Sequence, residues 1–160
     1  MLKKYHTLND LFIDQINKEG YIRFISSKSE EEELSFSEFG TNIKKCLGLF
    51  QNLGFKSDDE IVINTKSNIK FLECFWAAIL GGMIPVPIAV GVGEEHRKKL
   101  FKVLLQLKKP KLITDDNVHS RLVSLLKTKD QYFSLTDVVN ESLVDIEFKD
   151  SGEIIENDPE

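Results

Sequence analysis

The chain has 160 residues, 41% of them hydrophobic and 29% charged, with a net charge of −5 and a pI near 5.3. This fits one globular domain or one lobe of a larger one. The acidic surplus argues against a general nucleic-acid binder, which needs a basic surface to neutralise phosphates. The start, MLKKYHTLNDLF, has no long apolar core and does not read as a secretory signal. The longest uncharged run lies between Glu73 and Glu94 and is broken in the middle by Gly81, Gly82, Pro85 and Pro87. A membrane span is therefore not expected, and the expected compartment is the cytoplasm.

In chain order, Thr7 to Lys18 reads as a helix, with Thr7 or Asn9 as cap and Leu8, Leu11, Phe12 and Ile16 on its apolar side. Gly20 ends it. Tyr21–Ile25 is a strand rich in aromatic and β-branched residues. Ser26 to Glu33 reads as a polar hairpin tip, because four successive glutamates repel one another and favour solvent. Leu34 to Phe36 is the short return strand. Ser35 and Glu38 have capping-box spacing and start a helix. Phe39, Ile43, Cys46, Leu47, Phe50 and Leu53 form its core face, and Gly54 ends it. Glu60–Asn64 (EIVIN) is a buried strand of the parallel-sheet kind.

Asn68 to Ile88 is the most informative stretch. Phe71, Leu72, Phe75, Ala78 and Ile79 predict a helix with one wide apolar face beside the only tryptophan, Trp76. Gly81 and Gly82 stop that helix, and Pro85 and Pro87 impose an extended segment lacking two backbone donors. Glu94 to Leu107 is another amphipathic helix, with Leu100, Val103, Leu104 and Leu107 inward. A strand follows at Lys111–Thr114, then a helix capped by Asp115, Asp116 or Asn117 and running to about Leu126. Tyr132–Leu135 reads as a short strand. Alternating strands and helices predict an α/β fold: a parallel, Rossmann-like sheet with crossover helices, plus an N-terminal β-hairpin. Residues 1–144 read as the α/β lobe, and 145–160 as an exposed acidic strand or linker.

Candidate chemistry is sparse. Gly91 and Gly93 suggest a phosphate-binding turn, but the dinucleotide fingerprint requires glycine where this chain has His96. Glu94 and Glu95 would also repel an anion from the helix start. His96, Arg97, Lys98 and Lys99, with Lys108, Lys109 and Lys111, form a basic group whose default role is a solvated face; coenzyme phosphates or a carrier protein are the functional alternative. Cys46 and Cys74 read as small buried hydrophobes, with a disulfide, a metal pair or a nucleophile as alternatives. His6, His96 and His119 are too dispersed for a zinc site. No G-x-S-x-G elbow, Walker loop or acid–base pair stands out. No catalytic, cofactor-binding or metal residue is assigned.

The ordered series of elements nevertheless resembles a known family. Phe36-Ser37-Glu38-Phe39, Leu53-Gly54-Phe55-Lys56-Ser57-Asp58-Asp59, the run Phe71 to Pro87, and Leu112-Ile113-Thr114-Asp115 resemble, in order, the N-terminal lobe of the adenylate-forming enzymes. These are the acyl-CoA synthetases, fatty-acyl-AMP ligases and nonribosomal peptide adenylation domains. Cys74-Phe75-Trp76-Ala77 with Gly81-Gly82 and Pro85-Val86-Pro87 is most similar to the acyl-activating ligases that open hybrid peptide–polyketide assembly lines. The resemblance implies a parent that activates a fatty or amino acid with ATP and Mg²⁺ to an acyl-adenylate. It then passes the acyl group to coenzyme A or an acyl carrier protein. The family's Ser/Thr/Gly-rich phosphate loop would follow Asp158-Pro159, and its adenine, ribose and lysine sites come later. The expectation is thus a truncated N-terminal lobe, inactive alone, whose partner is the rest of the ligase. The alternative is a self-contained α/β binding or interaction module without catalytic activity.

Overall fold

The computed structural model describes residues 4–25, 31–91, 93–115, 118–120, 138–140 and 152–155. Helix α1 (Leu8–Ile16) leads into an antiparallel hairpin of β1 (Tyr21–Ile25) and β2 (Glu31–Ser35). Then follow α2 (Phe36–Asn52), β3 (Glu60–Asn64), α3 (Asn68–Leu80), β4 (Ile84–Pro87), α4 (Glu94–Leu104), β5 (Pro110–Thr114) and β6 (Val138–Asn140). The last four strands form one parallel sheet in the order β4-β3-β5-β6.

Side-chain alternation divides the core between the two faces of this sheet. Ile61, Ile63, Ile113 and Val139 join the cluster built by α1, α2 and α3. Val62, Leu112 and Val138 pack with Ile88, Leu100 and Leu104 on the α4 side. Helices α3 and α4 therefore cover opposite faces. Right-handed crossovers require this, because the chain steps from β3 out to β4 and then back past β3 to β5.

The capping residues behave as their chemistry dictates. Thr7 and Ser35 each accept a hydrogen bond from the third residue of their helix, and Asp10 and Glu38 reach back to complete two capping boxes. Gly54 (φ 81°) and Gly82 (φ 66°) take the left-handed conformation after α2 and α3.

The inner face of α3 is rotated from the one its large residues predict. Glu73, Cys74, Ala77, Ala78 and Leu80 are buried, while Phe71, Leu72, Phe75 and Trp76 are only partly so. The helix packs against both α2 and the sheet, where small side chains allow close approach. The aromatics fill its flanks instead, with the Phe12 and Trp76 rings 5.3 Å apart. Leu53 and Leu8, assigned to core faces, are 41% and 52% exposed at the ends of their helices.

The expectation for the hairpin changes, and further elements appear toward the C-terminal end. Glu31, Glu32 and Glu33 lie within β2 rather than at a hairpin tip, and Glu33 pairs with Arg23 across the ladder at 2.6 Å. A strand forms at Val138–Asn140; the one expected at Tyr132–Leu135 lies outside the described residues, as does most of the helix expected to reach Leu126. Within the stretch 145–160, residues 152–155 pack as a half-buried strap. Gly152 N–H donates to Lys44 O (2.7 Å), the Gln51 amide brackets Glu153 (2.6 and 3.0 Å), and Ile155 N–H donates to Leu80 O (2.9 Å). Asn9 Nδ2 donates to Ile155 O (3.1 Å), so the strap ties α1, α2 and the end of α3 together.

The two prolines of β4 close a sheet edge. Ile84 and Ile88 donate their N–H groups inward to Asp59 O and Ile63 O. In a parallel strand the intervening positions point outward, and these are Pro85 and Pro87. The free side of β4 thus presents no backbone donor at these two positions, which protects an edge strand from pairing with another chain.

Candidate functional site

In an open parallel sheet, ligands bind beyond the carboxyl ends of the strands, where adjacent strands send their connections in opposite directions. Here that point lies between β3 and β5: β3 continues to β4 on one side, and β5 to β6 on the other. The register sets Asn64 opposite Thr114 at this end, both on the α4 face by alternation. Next to them, Val62 and Ile63 face Leu112 and Ile113 across the ladder, all four apolar and buried.

Three buried polar side chains meet at the crevice. Asn64 is 5% exposed, Thr114 0% and Asp115 9%. Asn64 Nδ2 donates to Ile88 O (3.3 Å), tying β3 to the loop after β4. Asp115 Oδ1 accepts from Val118 N–H (3.4 Å), and its carbonyl accepts from Val118 and His119 N–H (3.1 and 2.8 Å). Among the described residues, neither Thr114 Oγ1 nor Asp115 Oδ2 has a hydrogen-bond partner, although both are buried. Each such orphan costs roughly 1–3 kcal/mol, so the crevice is set up to receive polar groups.

The surrounding helix termini are already committed. At the start of α3, Thr65 Oγ1 accepts from Ser67 N–H and Ser67 Oγ from Lys70 N–H, each at 3.2 Å. The α4 terminus carries no side-chain cap at Gly93 and has Glu94 and Glu95 in its first turn. A Cβ at Gly91 would overlap the imidazole of His96, so that ring occupies the space beside Gly91. The glycine loop thus offers no open cradle there for a phosphate.

The basic residues that sequence groups together are separated by the length of α4, about 16 Å at 1.5 Å per residue. His96, Arg97, Lys98 and Lys99 are exposed near its start, with Lys98 paired to Glu94 at 3.1 Å. Lys108, Lys109 and Lys111 instead line a cleft of about 490 Å³ at the amino ends of the strands, with Lys56, Ser57 and Asp59. Cys46 and Cys74 are free, buried thiols between α2 and α3. Among the described residues no three His, Cys, Asp or Glu side chains converge on a possible metal position, and no helix is long and apolar enough to cross a membrane. Sequence reasoning gave no site role to Asn64, Thr114 or Asp115. Their signal was an apolar strand ending in a polar residue, in both EIVIN and KLIT-D.

No protein-family profile matches the chain. Its structure is similar to that of McyG, an adenylation–PCP structure complexed with phenylalanyl-adenylate, at 21% identity and a TM-score of 0.81, covering 99% of this chain and 29% of that one. It is similar to a fatty acid AMP ligase from Legionella pneumophila at 16% identity and a TM-score of 0.72, covering 89% and 25%. It is also similar to the N-terminal subdomain of NpsA from Klebsiella oxytoca at 13% identity and a TM-score of 0.67, covering 93% and 35%. The chain thus spans about a third or less of each of these proteins while matching them over most of its own length. At these identities the likeness is one of fold, and by that measure the chain has the fold of the N-terminal lobe of an adenylate-forming enzyme.

Proposed function

We propose that this chain is the scaffold lobe of an AMP-forming carboxylate ligase, and that its β3–β5 crevice forms part of one wall of the substrate cleft. The observation that carries the proposal is the superposition of 99% of the chain on an adenylation structure at a TM-score of 0.81. In this reading the parent converts a fatty or amino acid and ATP to an acyl-adenylate and transfers the acyl group to the thiol of coenzyme A or a carrier protein. Positioning and charge neutralisation supply most of such catalysis.

The described residues do not fit Mg²⁺–ATP. No acidic cluster converges on a metal position, and His96 fills the space at Gly91. In this reading the lobe's contribution is to hold shape and present polar groups, and adenylation needs the rest of the ligase. Two measurements test this. Calorimetric titration of Mg²⁺–ATP into the chain should give only heat of dilution, and tight binding would overturn the assignment. The coding sequence beyond Glu160 should encode a Ser/Thr/Gly-rich loop within about twenty residues, the scale of a long connection. An immediate stop codon would favour the self-contained module instead.

A further inference from the structure

Cys46 projects from α2 and Cys74 from α3, and both are fully buried. Their Sγ atoms lie 3.8 Å apart, in contact but unbonded. A disulfide bond is about 2.05 Å long, so closure asks for roughly 1.8 Å of approach, shared between two rotamers and two helices. On the α3 side they are flanked by the small residues Ala77 and Ala78, beside the Glu73–Lys70 pair, and on the α2 side by Ile43 and Leu47.

We propose that Cys46 and Cys74 form an oxidative modification site at which a hydroperoxide converts the two thiols to a disulfide that pins α2 to α3. The chemistry balances in two steps. One thiol sulfur attacks the peroxide oxygen; the O–O bond breaks, the thiol becomes a sulfenic acid, and water or an alcohol leaves. The second thiol sulfur then attacks the sulfenic sulfur, the S–O bond breaks, and a second water leaves with the remaining thiol proton. Two electrons pass from sulfur to peroxide. The sulfenic oxygen is the only atom added, so the intermediate is small enough to form with modest expansion of the core. Burial pushes the Cys46 thiol well above its ordinary value, with the neighbouring Cys74 adding to the shift. Attack therefore awaits local opening and is slow, but once one sulfur is oxidised its partner is already in contact. This site does not depend on the ligase assignment.

The test is to treat the folded chain with hydrogen peroxide, block residual thiols by alkylation, digest without reductant and map the peptides. The expected product is a linked peptide pair containing Cys46 and Cys74 within one chain, with both thiols lost together. The oxidised chain should melt several degrees higher, and dithiothreitol should abolish the gain. Intact thiols after prolonged treatment, independent sulfinic or sulfonic acids at each cysteine, or cross-links only between chains would overturn the proposal. A linked chain that melts lower would overturn the pinning. Cys46→Ala and Cys74→Ala should each abolish the linked pair; because the decisive mapping is done on the unmodified sequence, poor folding of a variant does not blunt it.

Discussion

Substituting Gly152 by alanine probes the strap that runs over α1, α2 and α3. A Cβ at this position would lie 2.5 Å from Gly48 N and 2.8 Å from the Leu47 carbonyl carbon. Both obstacles are helix backbone, so relief has to come from the strap moving outward. Outward movement lengthens the Gly152–Lys44 bond and the two bonds between the Gln51 amide and Glu153, now at 2.7, 2.6 and 3.0 Å. At a net 0.5–1.5 kcal/mol each, partial loss of these three bonds costs about 1–3 kcal/mol. The stiffer unfolded chain returns about 0.4–1 kcal/mol. The expected net destabilisation of Gly152→Ala is therefore about 1–2 kcal/mol, read as a lower urea midpoint by Trp76 fluorescence. Gln51→Ala should cost less alone and should add little on top of Gly152→Ala, because the two changes disable the same contacts. A Gly152→Ala chain as stable as the parent, or full additivity with Gln51→Ala, would show that the strap does not hold the helices.

Lys70→Met should be the most destabilising single change at the α2–α3 seam, at about 3–5 kcal/mol in urea melts. It strips the counter-charge, 3.2 Å away, from a Glu73 carboxylate that is 1% exposed and otherwise held by Asn42 Nδ2 at 2.9 Å. Adding Glu73→Gln should recover most of the loss, and a neutral effect of Lys70→Met would refute the pairing. Replacing Pro85 and Pro87 together by valine restores two outward donors beside Ile84, which is 48% exposed. Light scattering should then show concentration-dependent association, and a strictly monodisperse variant would refute the protected edge. The Ser35 hydroxyl and then its N–H hold the Glu38 carboxyl below its ordinary 4.5. A lowered folded pKa gives stability that is present at neutral pH and lost as pH falls through that value. Glu38→Gln should thus melt lower than the parent at pH 7, with the gap closing in acid; a gap independent of pH would refute the capping role.

The alternation from β3 to β5 was legible because each element carries its own local instructions. Ser35 and Glu38 mark a helix start, Gly54 and Gly82 supply left-handed stops, and EIVIN and KLIT are too apolar to sit anywhere but a covered sheet. Tertiary facts were less visible. The inner face of α3 is chosen by what fits between α2 and the sheet, so Cys74, Ala77 and Ala78 win over the more hydrophobic Phe71 and Phe75. Glu33 reads as a solvated tip until Arg23 is seen opposite it. The strap is short and sits in an acidic stretch of sequence, and only Ile154 packing on the core and the backbone approach at Gly48 reveal it. Of the candidate site, the end residues of β3 and β5 were visible one by one. Their convergence at a reversal of strand order was not, because it depends on which strands are neighbours.

The central claim is that this lobe belongs to an enzyme that makes acyl-adenylates. Its most direct test is Mg²⁺-dependent exchange of pyrophosphate into ATP by the whole gene product, measured across a panel of fatty and amino acids, with the isolated 160-residue chain run alongside. The predicted result is acid-dependent exchange by the whole product and none by the chain alone. Exchange by the chain alone, or none by the whole product with any acid of the panel, would contradict it.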